Sequence, residues 1–254
     1  MTVSTLASVG RRGDPSVGPA IDPIVLVAHG SRDPRSAETM RQLGRRVALR
    51  WPAGATTAFL DFNSPSVPGA LRELPDGRRA IVVPALLTKA YHSRFDLPEV
   101  LSSVSTPTCV TAVLGPAEPG EAAHPLLIAA LLRRLSELDV SYDAVALIAA
   151  GTSDASARST VEGVARELAS ELDVACAVGY ASACAPSAGE AVARLRASGA
   201  RRVVAASYFL AVGRLYDVAA LSARQAGGIG VAAPLGAADE LVELIAARAG
   251  ANIR

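Results

Sequence analysis

Apolar and polar positions follow two alternating patterns along this chain. Short, continuous apolar runs rich in Val and Ile, the first being Ile24–Ala28, give way to stretches where apolar residues return every three or four positions, as at Met40, Leu43 and Val47. The first pattern is that of strands buried on both faces of a parallel sheet, the second that of amphipathic helices. Read in order, the pattern predicts strands over 24–28, 56–60, 80–87 and 108–114. Helices are predicted over 34–50, from Ser66 to about Leu74, from a cap at Asp96 with Leu97-Pro98-Glu99 as the first turn, and from about His124 to Leu138. Pro75-Asp76-Gly77 and the Ser and Asn residues before the helices supply the stops and caps. Strand–helix alternation of this kind predicts an α/β fold with a parallel sheet and helices on both faces.

The second half repeats the first. Gly30 recurs as Gly151, Asp33 as Asp154, Pro65-Ser66 as Pro186-Ser187 and Leu114-Gly115 as Leu235-Gly236, each 121 residues further on. The third strand recurs over 201–210 with a slip of two, Pro84 matching Ser207. A constant offset across several motifs identifies a duplicated unit. The expected organisation is a leader over 1–22 and two duplicated parallel-sheet α/β domains, 23–139 and 140–254, facing a central cleft.

Composition narrows the function classes. A net charge of +1 gives no general attraction to nucleic acid or to a membrane surface, and four Phe, one Trp and five Tyr offer few stacking platforms for single strands. No apolar run approaches the roughly 18 residues needed to cross a bilayer, and the first 20 residues lack the apolar middle of a signal peptide. Cys109, Cys176 and Cys184 are odd in number and have no CxxC spacing, which suits core-filling thiols in a reducing compartment. A cytoplasmic protein is expected. Neither GxxxxGK[ST] nor GxGxxG occurs, so no nucleotide is expected.

The duplication also tests the candidate chemistry. His29 follows the first strand, Asp61 the second and His92 the third, so all three fall on one edge of a parallel sheet, where such sheets bind ligands. A histidine met alone is as well explained by core packing. Yet the repeat offset places Ala150, Ser182 and Leu215 at the corresponding positions, so the fold itself does not need the trio. Two imidazoles and a carboxylate suit a borderline divalent ion with coordination positions left open; alternatively, the histidines act as general bases. Arg32, Arg35, Lys89 and Arg94 flank them. Any one of these cations is ordinary on a surface; together at one cleft they suit an acidic ligand. His124, before Pro125, reads as a helix cap.

These motifs have a familiar counterpart. Val27-Ala28-His29-Gly30-Ser31-Arg32-Asp33-Pro34 resembles the "HGSRDP" opening of the class II tetrapyrrole chelatases, the CbiX/SirB group, and Phe59 to Ser66 resembles their "FLE…PS" segment. Pro84 to Pro98 resembles "P-L-L…G-Y-H…D-I-P", and Leu114-Gly115-Pro116 with His124-Pro125-Leu126-Leu127 resembles "LGPHPLL" with an insertion. The resemblance implies insertion of Fe2+ or Co2+ into sirohydrochlorin, for sirohaem or cobalamin, with no nucleotide or organic cofactor. His29 and His92 would bind the incoming metal and take up pyrrole protons. Asp61 stands where the family has Glu, one methylene longer. Ser31, Arg32, Lys89 and Arg94 would hold substrate carboxylates. The absence of a His-rich tract favours iron. The second half, with Arg214 and Tyr216 near the place matching His92, would form the opposite wall, and two fused units predict a monomer. Competing readings are a tetrapyrrole or metal carrier without turnover and a metal-dependent hydrolase of small acidic substrates.

Overall fold

The computed structural model describes residues 21–75, 77–89 and 91–251, with the backbone alone for 91–96. The expected leader, save Ile21 and Asp22, lies outside the described residues. The first half runs β1 (Ile24–Ala28), α1 (Pro34–Arg50), β2 (Ala55–Phe59), α2 (Val67–Arg72), β3 (Ala80–Pro84), α3 (Tyr91–Ser102), β4 (Thr108–Val110) and α4 (Pro125–Ser136). The second runs β5 (Ala144–Ala149), α5 (Ala155–Leu172), β6 (Ala175–Tyr180), α6 (Ala188–Ala197), β7 (Val203–Tyr208), α7 (Arg214–Gln225), β8 (Gly230–Val231) and α8 (Asp239–Gly250).

Both sheets are parallel and share one topology, β2-β1-β3-β4 and β6-β5-β7-β8. Every residue of β1, β3, β5 and β7 is buried, as expected for central strands covered on both faces. The two-residue slip is real: Val27 pairs with Pro84 and its counterpart Ile148 with Ser207.

Local chemistry sets the helix starts. The Asp33 carboxylate accepts from the Arg35 amide with Pro34 in the first turn, and Asp154 caps α5 in the same way through Ser156. Ser187 and Glu190 form a reciprocal capping box on α6. His124 caps α4, its Nδ1 accepting from the Leu126 amide at 3.2 Å. Burial, and then the Arg248 charge, lower its pKa. A protonated Nδ1 could not accept that bond, so the unfolded chain binds the proton more readily than the folded one. The His124 contribution is therefore full above the unfolded-state value of about 6.5 and declines as pH falls below it. His124→Ala is accordingly expected to cost more stability at pH 8 than at pH 5, in denaturant titrations at both.

Three expected boundaries need correction. The helix expected to start at Asp96 starts at Tyr91, so Pro98 is internal and gives no N–H to the carbonyl four residues back. The matching helix α7 starts at Arg214, 123 residues after Tyr91, so the same start is built into both copies. The strand expected over 80–87 ends at Pro84: one further bond runs from the Ala85 amide to the Val27 carbonyl, and the Leu86 amide then turns back to Pro84. The strand expected over 108–114 ends at Val110, because after the Thr111 amide reaches Val82 the chain swings over to Leu86.

Packing, unlike topology, is shared between the halves. The outer face of the first sheet is covered by α2 and α3, that of the second by α6 and α7. The inner faces of both sheets form one continuous core with α1, α4, α5 and α8. Helix α8 packs on α1, α4 and β3 of the first half, while α4 reaches β7 of the second. Ile245 of α8 is fully buried in this common core. Ile245→Ala is expected to cost about 2–5 kcal/mol. Because the core is continuous, both halves should lose that stability in one transition; a calorimetric trace with only part of the heat shifted would contradict this.

Candidate active site at the carboxyl edge of the first sheet

The chain leaves β1 through His29 and then Gly30, whose φ is +94°. A Cβ on Gly30 would lie 1.9 Å from the Asp61 carbonyl oxygen, so only glycine permits this close approach. The β1–β2 ladder continues past the strands, with the Leu60 amide donating to Ala28 at 3.0 Å and the Asp61 amide to the His29 carbonyl at 2.9 Å. His29 and Asp61 are thereby held side by side on the sheet edge. The next turn is locked by Asn63: its Oδ1 accepts from the Ser31 amide at 2.8 Å, and its amide donates to the Asp61 carbonyl at 2.7 Å.

His29 is half-buried and Asp61 exposed. His29 Nδ1 lies 3.3 Å from the Gly30 carbonyl oxygen. In the tautomer with its proton on Nδ1, which donates there, a metal or a proton would be taken at Nε2. One Asp61 oxygen, Oδ1, accepts from the Phe62 amide at 2.8 Å. The Phe62 ring stacks near the imidazole, with centroids 6.4 Å apart and planes at 30°, and the Arg32 guanidinium sits 5.2 Å from its centroid.

This edge is the topological switch point of the sheet. The crossover after β1 runs through α1 on the inner face and that after β3 through α3 on the outer face, so the chain parts between the two strands. A cavity of about 220 Å³ lies between the halves, lined by residues 85–88 after β3 and by Ala149–Thr152, Tyr180 and Tyr208–Leu210 of the second; neither His29 nor Asp61 lines it. The second copy lines this cavity with its own switch-point edge, where Ala150 holds the position matching His29.

The expected site residues are placed unequally. His92 is the second residue of α3, the element that follows β3; its side chain and that of Arg94 lie outside the described residues. Among the described residues no group of three or more His, Cys, Asp or Glu side chains comes together, and of the expected trio His29 and Asp61 are the described pair. Lys89 pairs with Glu118 at 2.9 Å, an exposed contact that a ligand carboxylate can replace at little cost. The Ser31 hydroxyl oxygen accepts from the Asp33 amide at 3.0 Å, and Thr152 does the same for Asp154 at 3.1 Å, so this bond belongs to the helix entry in both copies. Arg35 is taken up by Asp33 and by Asp217 of the second half, each at 2.6 Å. The three cysteines form no disulfide, and burial pushes the thiol of Cys176 up to about 11, as suits a core filler.

Asn63, Phe62, Glu118 and Tyr208 were not singled out from the sequence. The signal for Phe62 was present, since the 121 offset puts Ala183 opposite it. Tyr208 carried none: its buried hydroxyl donates at 2.9 Å to the Leu87 carbonyl, in the loop that leads from β3 toward α3, across 121 residues of sequence. Burial raises its pKa strongly, so the hydroxyl stays a donor.

The fold and site define a duplicated, doubly wound α/β protein whose first copy alone carries histidine and carboxylate at its switch-point edge. The CbiX family model matches residues 23–138 and 144–252, and the chain belongs to that family. It is 32% identical over 88 residues to the sirohydrochlorin cobaltochelatase of Methanocaldococcus jannaschii, a match covering 33% of this chain and 61% of the relative. With the protein of the same name from Priestia megaterium it is 27% identical over 201 residues, covering 76% of this chain and 65% of the relative. The matches thus span about three fifths and just under two thirds of those relatives. A solved structure of SirB from Bacillus subtilis with Fe3+ superposes with a TM-score of 0.74 at 19% identity, covering 90% of this chain and 94% of that one, a likeness of fold. Among the described residues no helix is long and apolar enough to cross a membrane.

Proposed function

We propose that this protein is a sirohydrochlorin chelatase, exchanging two pyrrole N–H protons of the tetrapyrrole for a divalent metal ion. The observation that carries this reading is the His29–Asp61 juxtaposition at the switch-point edge, present in one copy and replaced by Ala150 and Ser182 in the other. A structural requirement would have kept both copies alike. Family membership and the names of the relatives support the substrate class.

In this proposal the units are 23–139, bearing the site, and 140–254, forming the facing wall. His29, His92 and Asp61 hold the incoming metal through few ligands, so that four ring nitrogens can take it over, and neutral imidazole nitrogens accept the released protons. Arg32, Lys89 and Arg94, with the hydroxyl proton of Ser31, bind the substrate carboxylates. Fe2+ and Co2+ are both candidate substrates: the lack of a His-rich tract favours iron, the names of the relatives cobalt. No nucleotide or organic cofactor enters the reaction. A cytoplasmic monomer completes the proposal.

The test is an anaerobic absorbance time course of sirohydrochlorin with Fe2+ or Co2+. Insertion faster than the spontaneous rate supports the reading, and the faster metal points to the pathway, sirohaem for Fe2+ or cobalamin for Co2+. A spectral change on binding without acceleration for either metal would instead make the protein a carrier.

A further inference from the structure

The first copy differs from the second at more than the expected trio. At the repeat offset Arg32 faces Ser153 and Phe62 faces Ala183, so His29, Arg32, Asp61 and Phe62 are replaced together by Ala150, Ser153, Ser182 and Ala183. Phe62 is informative because its backbone shape is not special to it. Its φ is +61° and that of Ala183 is +64°; the amide after each donates to the carbonyl before it, at 2.7 Å for Asn63 to Asp61 and 2.8 Å for Cys184 to Ser182. The fold thus demands this left-handed bend in both copies and is content with a methyl group there.

A phenyl ring at such a position adds backbone strain and leaves apolar surface in water, for Phe62 is 49% exposed. Among the described residues, its two ring contacts are with the site. It lies 6.4 Å from the His29 ring and carries the Arg32 guanidinium 5.2 Å from its centroid. A cation held over an aromatic face keeps its charge while losing freedom, so less entropy remains to be lost when it meets a carboxylate.

We infer that Phe62 is a substrate-binding residue, supplying apolar surface to the macrocycle beside His29 and holding Arg32 in place for one of its carboxylates. The inference rests on the chelatase reading and names a contact that reading leaves open. Burial of a half-exposed phenyl ring together with a pre-positioned guanidinium corresponds to roughly tenfold or more in affinity.

The experiment is an equilibrium absorbance titration of metal-free sirohydrochlorin against the unmodified protein, Phe62→Ala, Phe62→Tyr, Arg32→Ala and Phe62→Ala/Arg32→Ala, each checked for an intact thermal transition. Alanine is already accommodated at the equivalent Ala183, so Phe62→Ala is expected to fold. It should weaken binding about tenfold, while Phe62→Tyr, which keeps the ring, should stay within about threefold of the unmodified protein. The double variant should lose less than the product of the two single losses, because removing the ring already releases Arg32. In the metal-insertion assay, the change should fall on KM more than on kcat. Equal affinity of Phe62→Ala and the unmodified protein, or strictly multiplicative losses, would overturn the inference while leaving the chelatase reading in place. An unmodified protein that binds no sirohydrochlorin would overturn both.

Discussion

His29→Ala is expected to lower the rate of metal insertion into sirohydrochlorin by about 100-fold or more and to leave the thermal transition almost unmoved. The size follows from removing a metal ligand and proton acceptor from a site with few of either, since general acid–base groups alone are worth about 10²–10⁴. The stability side follows from the duplication. Ala150 occupies the equivalent place in the second sheet, which has the same strand order and an equally buried central strand. His29 is half-buried, and its backbone bond, the carbonyl accepting from the Asp61 amide, does not depend on the side chain. Comparing initial rates with the midpoint of thermal unfolding checks both parts. An unfolded variant would make His29 structural, and an undiminished rate would remove it from the reaction.

Gly30→Ala and its counterpart Gly151→Ala should separate stability from activity. At both glycines φ is strongly positive, and a Cβ would meet a backbone oxygen, that of Asp61 at 1.9 Å or that of Ser182 at 2.0 Å. Each substitution combines a left-handed backbone that alanine resists with a clash that the strand–turn packing must absorb. About 3 kcal/mol is expected from either, or a fall in Tm of roughly 6–12 °C for a chain of this size. The kinetic consequences should differ. At a temperature where both variants are folded, Gly30→Ala pushes Asp61 away from His29 and should abolish most turnover, whereas the second-copy variant should lose far less. Equal kinetic losses would mean that the second switch-point edge takes part in the chemistry.

Several features needed no tertiary information. The Asp33-Pro34 entry to α1 is written in residues next to one another, because a cap and a fixed φ act within two residues. The fully apolar strands could be read because burial on both faces leaves no alternation. The repeat could be read because a copied fold keeps its turn and cap residues at a fixed offset, and the same offset showed which chemistry the fold could do without. The start of α3 was also within reach. Pro98 directed attention to Asp96 as a cap, but alignment with the second copy at the two-residue slip sets Tyr91 opposite Arg214, where α7 begins. There a local rule overrode a repeat-based one.

Other features could not be read from any local pattern. The face that Leu241, Leu244 and Ile245 bury is visible as periodicity, but its partners are not: α8 packs on α1 and β3, elements about 150–200 residues earlier in the chain. Tyr208 looks like any strand-end tyrosine until the second sheet is set against the first and its hydroxyl meets Leu87. Sequence by itself therefore determined the duplicated parallel-sheet architecture and the sheet edge on which His29 and Asp61 fall, because turn chemistry and hydrophobic period act over a few residues. Tertiary structure alone decided that the two copies share one core, that Arg35 and Lys89 spend their charges on Asp217 and Glu118, and that Phe62 and Arg32 meet beside His29. Those outcomes depend on how surfaces far apart in the chain come together, and apolar burial, being without direction, leaves no mark in the sequence of which surface it will meet.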